Sequence, residues 1–242
     1  MGKQRFRPLS AELARLRPEA DAAALIRSGA VRVDGRIVTN PASLVRRGAA
    51  IVVRERVPLR GELKLRFALE TFGVDVRGRT ALDLGAAAGG FTRALLDAGA
   101  ARIYAVDAGY GQLAGALRAD RRVVNLERVN LGELETVHVS DLIAIVTLDL
   151  SYLAVARAAR QLERVRIAPD AELIALVKPM FELQLERPPR DEVRLRRAVA
   201  RAAAGLTACG WTIVGRARSP ITGSRGAVEF FVHARREIGT EP

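Results

Sequence analysis

The spacing of apolar and polar positions divides the chain into a βα array preceded by a short segment of different pattern. The clearest stretch, residues 80–107, reads TALDLGAAAGGFTRALLDAGAARIYAVD. An apolar run at 81–84 stops at Gly85, Phe91, Leu95 and Leu96 then recur at helical spacing up to Gly99, and a second run at 103–106 ends on Asp107. This predicts strand, tight turn, helix, strand. Upstream, 62–72 has helical periodicity with Leu63, Phe67 and Leu69 inward. Downstream, strands at 123–126, 143–148 and 173–177 alternate with helices over 152–164 and from about 191 to 210, and strands at 211–214 and 228–232 close the array. Strand and helix in turn imply a parallel sheet, an α/β fold.

The first sixty residues read differently. Ser10 is placed to cap a short helix through Leu13 and Leu16, and Arg17-Pro18-Glu19 opens a second helix with Glu19 and Asp21 in its first turn. That helix closes at Ser28-Gly29. Residues 31–38, VRVDGRIV, alternate apolar with basic around Asp34-Gly35, a hairpin signal, and 50–53 forms a last strand. The expected organisation is a small α+β domain over 1–56, a linker at 57–61 and the α/β domain over 62–242.

Charge sharpens this division. The net charge is +12, and residues 1–60 hold 13 Lys and Arg against 5 Asp and Glu, a net of +8 in the first quarter of the chain. Charge alone suits a module that meets a polyanion and a solvated basic surface equally; a two-helix unit with a basic hairpin, too small for an enzyme, makes RNA the expected partner. The longest apolar stretch, 142–155, is broken by Asp149, so no bilayer span is expected. A single cysteine, Cys209, and the lack of an apolar run behind Lys3, Arg5 and Arg7 make the cytoplasm the expected location.

Candidate chemistry lies where the strands end. The turn Gly85-Ala86-Ala87-Ala88-Gly89-Gly90 is nearly bare of side chain, so a ligand can approach the backbone and meet amides at the helix N-terminus. It has no Lys-Ser/Thr pair for a triphosphate. Asp107 stands where a βαβ unit offers a carboxylate to a ribose diol, and Asp83 stands two residues before the first glycine, where a cationic group would meet it. S-adenosylmethionine, with an ammonium, a sulfonium and a ribose, suits two carboxylates better than a pyrophosphate does. The expected cofactor contacts are Asp83, Gly85, Ala86, Gly89, Gly90, Phe91 and Asp107, with Asn130, just after the third strand, at an adenine edge. Asp149 and Lys178 end two further strands; a lysine held by a carboxylate there can orient and acidify a hydroxyl for attack on the sulfonium methyl. His138, His233 and Cys209 have no metal-ligand spacing, and no metal is expected.

Two resemblances extend the reading. Residues 8–55, with a helix ending in Gly and then valine, Asp-Gly, valine, resemble the RNA-binding fold named after ribosomal small-subunit protein four; the second helix, 19–26, lacks the basic residues usual in relatives, so the resemblance leaves RNA contact to Arg27, Arg32, Arg36, Arg46 and Arg47. Gly61-Glu62-Leu63-Lys64-Leu65, Asp83-Leu84-Gly85, Gly89-Gly90-Phe91-Thr92, Ala105 to Leu113, Leu176-Val177-Lys178-Pro179, Ser219-Pro220-Ile221 and Glu229-Phe230 resemble the TlyA family. That resemblance implies a Rossmann-like class I methyltransferase sheet of the FtsJ type and methylation of ribosomal RNA on a ribose 2′-hydroxyl within ribosomal subunits. It also implies a Lys-Asp-Lys-Glu tetrad at Lys64, Asp149, Lys178 and Glu229. The chain departs from its relatives in the alanines at 86–88, where Ser or Thr is usual, and in Glu62, where Gly is usual. A ribosome-associated factor with an inactive cofactor domain shares the pattern, as would a membrane-active hemolysin, a label the family has carried, although no segment here is amphipathic enough for insertion.

Overall fold

The structure is a computed structural model and describes residues 6–54 and 57–236. The chain divides into two compact units, Met1–Pro58 and Leu59–Pro242.

The smaller unit comprises β1 (Phe6–Pro8), α1 (Leu9–Leu16), α2 (Ala22–Arg27), β2 (Val31–Val33), β3 (Arg36–Ile37), β4 (Leu44–Arg46) and β5 (Ile51–Val53). β2 lies between β3 and β5 in a three-stranded sheet, and β1 pairs with β4. The hairpin turns on Asp34 and Gly35, both at positive φ (47° and 82°), as a type I′ turn requires. Leu9, Leu13, Ala22, Ile26, Val31 and Val45 form the core. The helix starts differ from the sequence reading. Pro8, not Ser10, precedes α1, and α2 begins only at Ala22. Asp21 is its cap, accepting from Ala24 N at 2.9 Å, so the chain through Pro18 and Glu19 remains a turn.

The larger unit opens with α3 (Arg60–Phe72), followed by β6 (Thr80–Leu84), α4 (Gly90–Asp97), β7 (Arg102–Asp107), α5 (Gly115–Arg118), β8 (Val123–Glu127), β9 (Ile143–Leu148) and α6 (Val155–Gln161). It continues with β10 (Ile167–Val177), α7 (Pro179–Glu182), α8 (Glu192–Thr207), β11 (Trp211–Arg218) and β12 (Phe230–Arg236). The seven strands lie in the order β11-β12-β10-β9-β6-β7-β8, and β12 runs antiparallel to both neighbours while β6 to β10 pair in parallel. The period of two along β7 serves both faces. Ile103 and Ala105 join the core shared with Leu65, Phe91 and Leu95, and Tyr104 and Val106 join the core shared with Val155, Leu206 and Trp211.

Several boundaries moved: β10 starts at Ile167 and β11 runs on to Arg218, both longer than expected, and three others bear on the site. α3 starts at Arg60 because Glu62 reaches back to the backbone N–H of Leu59 at 3.4 Å, ahead of the start the sequence suggests. On that helix Leu63 faces outward, and Leu65, Ala68 and Leu69 are the buried positions beside half-buried Phe67. The expected helix over 152–164 is α6 plus a separate 3₁₀ turn at Leu162–Arg164. β12 starts at Phe230, which leaves Val228 and Glu229 in the connection before it.

Candidate active site

The sheet order and register place the strand-end residues in one row. Leu84 pairs with Leu148, so Gly85 and Asp149 are neighbours, with Asp149 N donating to Leu84 O at 3.0 Å. Val177 pairs with Phe230, so Lys178 and Glu229 are neighbours too. Asp107 ends β7 on the far side of β6. Gly85 has φ +89°, and a Cβ there would lie 2.6 Å from Asp149 O, so only glycine lets these two strand ends approach so closely.

Two lysine-carboxylate pairs stand at this rim. Lys178 Nζ is 2.7 Å from Asp149 Oδ1 and donates to Ser151 Oγ at 2.7 Å. Asp149 Oδ1 has no well-aligned hydrogen bond, so its hold on Lys178 is one of charge. Lys64 Nζ donates to Glu229 Oε2 at 2.5 Å, with both side chains buried. Gly223 packs against Glu229, since a Cβ on it would lie 2.0 Å from the Glu229 carboxylate. Lys178, Ser151, Phe181, Pro188, Arg225 and Glu229 line a cleft of about 330 Å³. All four residues of the expected tetrad therefore fall in two pairs along one edge of the sheet. Ser151 was not anticipated, and its only signal in the sequence is its place two residues after Asp149. Glu62, whose carboxylate pairs with Arg66 at 3.0 Å and accepts from Leu59 N, serves the start of α3.

Beyond Gly85 a second, smaller hollow is lined by Leu84, Asp107, Val129, Leu131, Leu150 and Tyr152. Asp107 accepts from Ala87 N at 2.9 Å and from Gly109 N at 2.7 Å. A carboxylate has about four acceptor sites, so two lone pairs remain for a ribose diol. Apolar walls and an aromatic ring beside that carboxylate are the chemistry that a ribose and an adenine edge meet, so the residue types fit S-adenosylmethionine, at a hollow of about 30 Å³. Tyr152 was missed in the sequence; burial pushes its hydroxyl above the usual tyrosine range and the charge of Asp107 adds to this.

Several expected contacts also serve the fold, and of these Gly85 lines the hollow as well. In the turn, the amides of Gly85 and Ala86 donate to Val106 O, that of Ala87 to Asp107 and that of Gly89 to Ala86 O, so these four are engaged within the protein. Ala86 is buried, Phe91 packs in the core 6.4 Å from the Phe231 ring, and Gly89 backs onto Leu113 and Leu117. Gly90 meets Gly61 backbone to backbone, which lets α3 and α4 touch. Asn130 is exposed and lies 3.4 Å from Glu133, while its neighbours Val129 and Leu131 line the hollow.

Asp83 is fully buried, accepting from Thr92 Oγ1 at 2.6 Å and Thr147 Oγ1 at 2.9 Å, so each oxygen has a partner within the protein and neither reaches the surface where a ligand would meet it. Burial pushes its pKa from an ordinary 3.8 to about 6, against the two hydroxyls. The folded state then binds this proton more tightly than the unfolded chain does. The stability it confers is fully present below about 3.8 and is lost as pH rises to about 6. Denaturant titrations from pH 4 to 7.5 should show wild type losing stability relative to Asp83→Asn by about 3 kcal/mol over this window. A parallel pair of curves would mean that Asp83 keeps an ordinary pKa.

In the smaller unit Arg27, Arg36, Arg46 and Arg47 are exposed and Arg32 is half-buried. Arg32 donates to Gly35 O at 3.4 Å and Arg46 lies 3.6 Å from Asp34, which gathers both at the hairpin tip; Arg27 ends α2 elsewhere. His233 is a core residue, its Nε2 2.7 Å from Glu172 and its ring 5.2 Å from that of Phe72, and burial lowers its pKa. Among the described residues no helix is long and apolar enough to cross a membrane, and no three metal-ligating side chains cluster.

Comparison with known proteins agrees with this geometry. The FtsJ-like methyltransferase family matches residues 58–236 and the S4 domain matches residues 13–51. The chain is 41% identical to the 16S/23S rRNA (cytidine-2′-O)-methyltransferase TlyA of Mycobacterium tuberculosis, over 95% of this chain and 90% of that one. It is 31% identical to Hemolysin A of Brachyspira hyodysenteriae, over 86% of this chain and 90% of the relative. A solved structure from Lactococcus lactis, described as a hemolysin, superimposes with a TM-score of 0.72 at 32% identity, covering 76% of this chain and 91% of that one. The two family matches and the identity to these relatives place the chain in the TlyA family, S-adenosylmethionine-dependent methyltransferases of the FtsJ-like type with an N-terminal S4 domain.

Proposed function

We propose that the enzyme methylates ribosomal RNA on a ribose 2′-hydroxyl, with Lys178 at the reacting oxygen. The observation that carries this reading is the pairing of Lys178 with Asp149 at the mouth of the cleft that Glu229 also lines. When bound, S-adenosylmethionine supplies an electrophilic methyl on a sulfonium. The protein's part is then alignment and charge. Lys178, oriented by Asp149 and Ser151, meets the 2′-oxygen and stabilises the negative charge that develops there as the O–C bond forms and the hydroxyl proton leaves to solvent. Lys64 and Glu229, buried together, hold the wall on which the ribose rests. Asp107 would hold the cofactor's ribose diol, and Leu131, Leu150 and Tyr152, which stand beside it, would meet its base.

The domain reading follows. Residues 1–56 dock RNA through Arg27, Arg32, Arg36, Arg46 and Arg47, and 62–242 perform the transfer. The names of the Mycobacterium tuberculosis relative support ribosomal RNA as the substrate class. The test is incubation of purified ribosomal subunits with labelled S-adenosylmethionine, followed by mapping of the labelled nucleotide and repetition with RNA carrying a 2′-deoxy ribose there. Label should appear on the ribose and vanish with the deoxy substrate. Methylation that persists on the deoxy nucleotide would assign the reaction to a base.

A further inference from the structure

The larger unit carries a basic groove that the catalytic site does not use. It lies between α8 and β11, has a volume of about 460 Å³ and is walled by Glu192, Arg196, Val199, Arg216, Arg218 and Phe230. Arg218 and Phe230, paired at the facing ends of β11 and β12, line the groove, and the connection that joins these two strand ends lines the catalytic cleft through Ser224, Arg225, Ala227 and Glu229. Arg225 stands on that connection in the cleft lining, a non-glycine residue at φ 56°. Its loop is closed by Gly223 N donating to Ala227 O at 2.7 Å and Ala227 N to Ser224 O at 3.1 Å, and Arg60 donates to Gly223 O at 3.3 Å and to Thr222 O. A left-handed arginine held by so many bonds at the mouth of a site points to a function for its side chain.

The groove's charge identifies its occupant. Three arginines face one carboxylate. Glu192 lies 4.0 Å from Arg196 and 3.9 Å from Arg218, at the limit of ion pairing, and all three side chains are more than half exposed. Such loose, solvated pairs contribute little and open readily to a stronger anion. An extended chain of phosphates satisfies guanidinium groups spaced along a groove, and the aromatic edge of Phe230 suits an unpaired base. Resting on the RNA methyltransferase reading above, we infer that the single-stranded RNA flanking the target ribose leaves the cleft past Arg225 and lies in this groove, its phosphates meeting Arg218, Arg216 and Arg196. The methyltransferase unit thus holds RNA by itself, in addition to any hold by the S4 domain.

The test compares wild type, the double variant Arg216→Glu/Arg218→Glu and Glu192→Gln in RNA binding over a range of salt and in methyl-transfer kinetics on the same ribosomal RNA. Each phosphate contact on a single strand contributes about 0.7 to the slope of log K against log salt. The double variant should lose roughly 1.4 of that slope and raise KM for RNA about tenfold or more. Glu192→Gln should move the other way, with tighter binding and a steeper slope. Cofactor titration reports whether each variant is folded, and if the double variant is not, Glu192→Gln decides alone. Unchanged slope and KM in either folded variant overturn the proposal, as does a change in oligomeric state without a change in RNA affinity, which would make the groove a protein contact. If wild type binds RNA through the groove yet transfers no methyl, the function proposed above fails and this inference stands.

Discussion

Replacing Lys178 by alanine is expected to abolish methyl transfer, lowering kcat by at least about a thousandfold while leaving the affinity for S-adenosylmethionine within about twofold of wild type. Removing one donor from a site of developing negative charge already costs about 10²–10³ in rate, and Lys178 is the cation nearest the reacting oxygen in the proposed geometry. Its contribution belongs to the transition state, so it appears in kcat and not in cofactor binding. Lys178→Arg should not rescue. A planar, longer guanidinium cannot take the place of an ammonium that fits both Asp149 and Ser151 at 2.7 Å. Asp149→Ala should also be strongly impaired, because the lysine loses the charge that places it. Single-turnover kinetics with calorimetric titration of the cofactor checks all three, and a Lys178→Ala enzyme within tenfold of wild type would remove Lys178 from the chemistry.

Asp107→Ala should give the converse result, a large loss in cofactor affinity with turnover recovered at saturating cofactor. A hydrogen bond to a charged group contributes roughly 1.5–3 kcal/mol, so the dissociation constant should rise about ten- to a hundredfold. The structure adds a second cost. Asp107 also receives the amides of Ala87 and Gly109, and without it the turn after β6 and the turn after β7 each lose an anchor. Asp107→Asn, which keeps an acceptor for one of those amides, should lie between alanine and wild type. Calorimetry reads the difference directly, and an affinity equal to wild type would place the ribose elsewhere.

The two experiments separate binding from chemistry because the residues stand on different strands. Asp107 ends β7 and Lys178 ends β10, with β6 and β9 between them. A defect confined to one leaves the other's geometry intact.

Much of this arrangement was legible in the sequence because it is written in local pattern. The run at 80–107 names its own strand, turn, helix and strand, since apolar residues at period two and then at helical spacing suit only those backbones. Asp34-Gly35 specifies its hairpin because few other pairs accept positive φ at both positions. The excess of arginine in residues 1–60 is likewise a property of composition alone, and the family's motifs locate Lys64, Asp149, Lys178 and Glu229 as single positions.

What the pattern lacked was the partner of each side chain, which only packing determines. Asp83 looked like a ligand for a cation, yet Thr92 and Thr147, 9 and 64 residues away, take both its oxygens. Phe91 and Gly90 have the spacing of a cofactor loop but are used to seat α4 against Phe231 and Gly61. Lys64 and Glu229 are separated by 165 residues and become a buried pair only because β12 inserts antiparallel between β10 and β11. Tyr152 and Ser151 reach the site because β9 lies beside β6. A chain's own periodicity records which face of each element is buried, but it does not record which elements lie side by side. That choice is made by long-range strand pairing and close packing, and it alone turned four separate strand ends into one site.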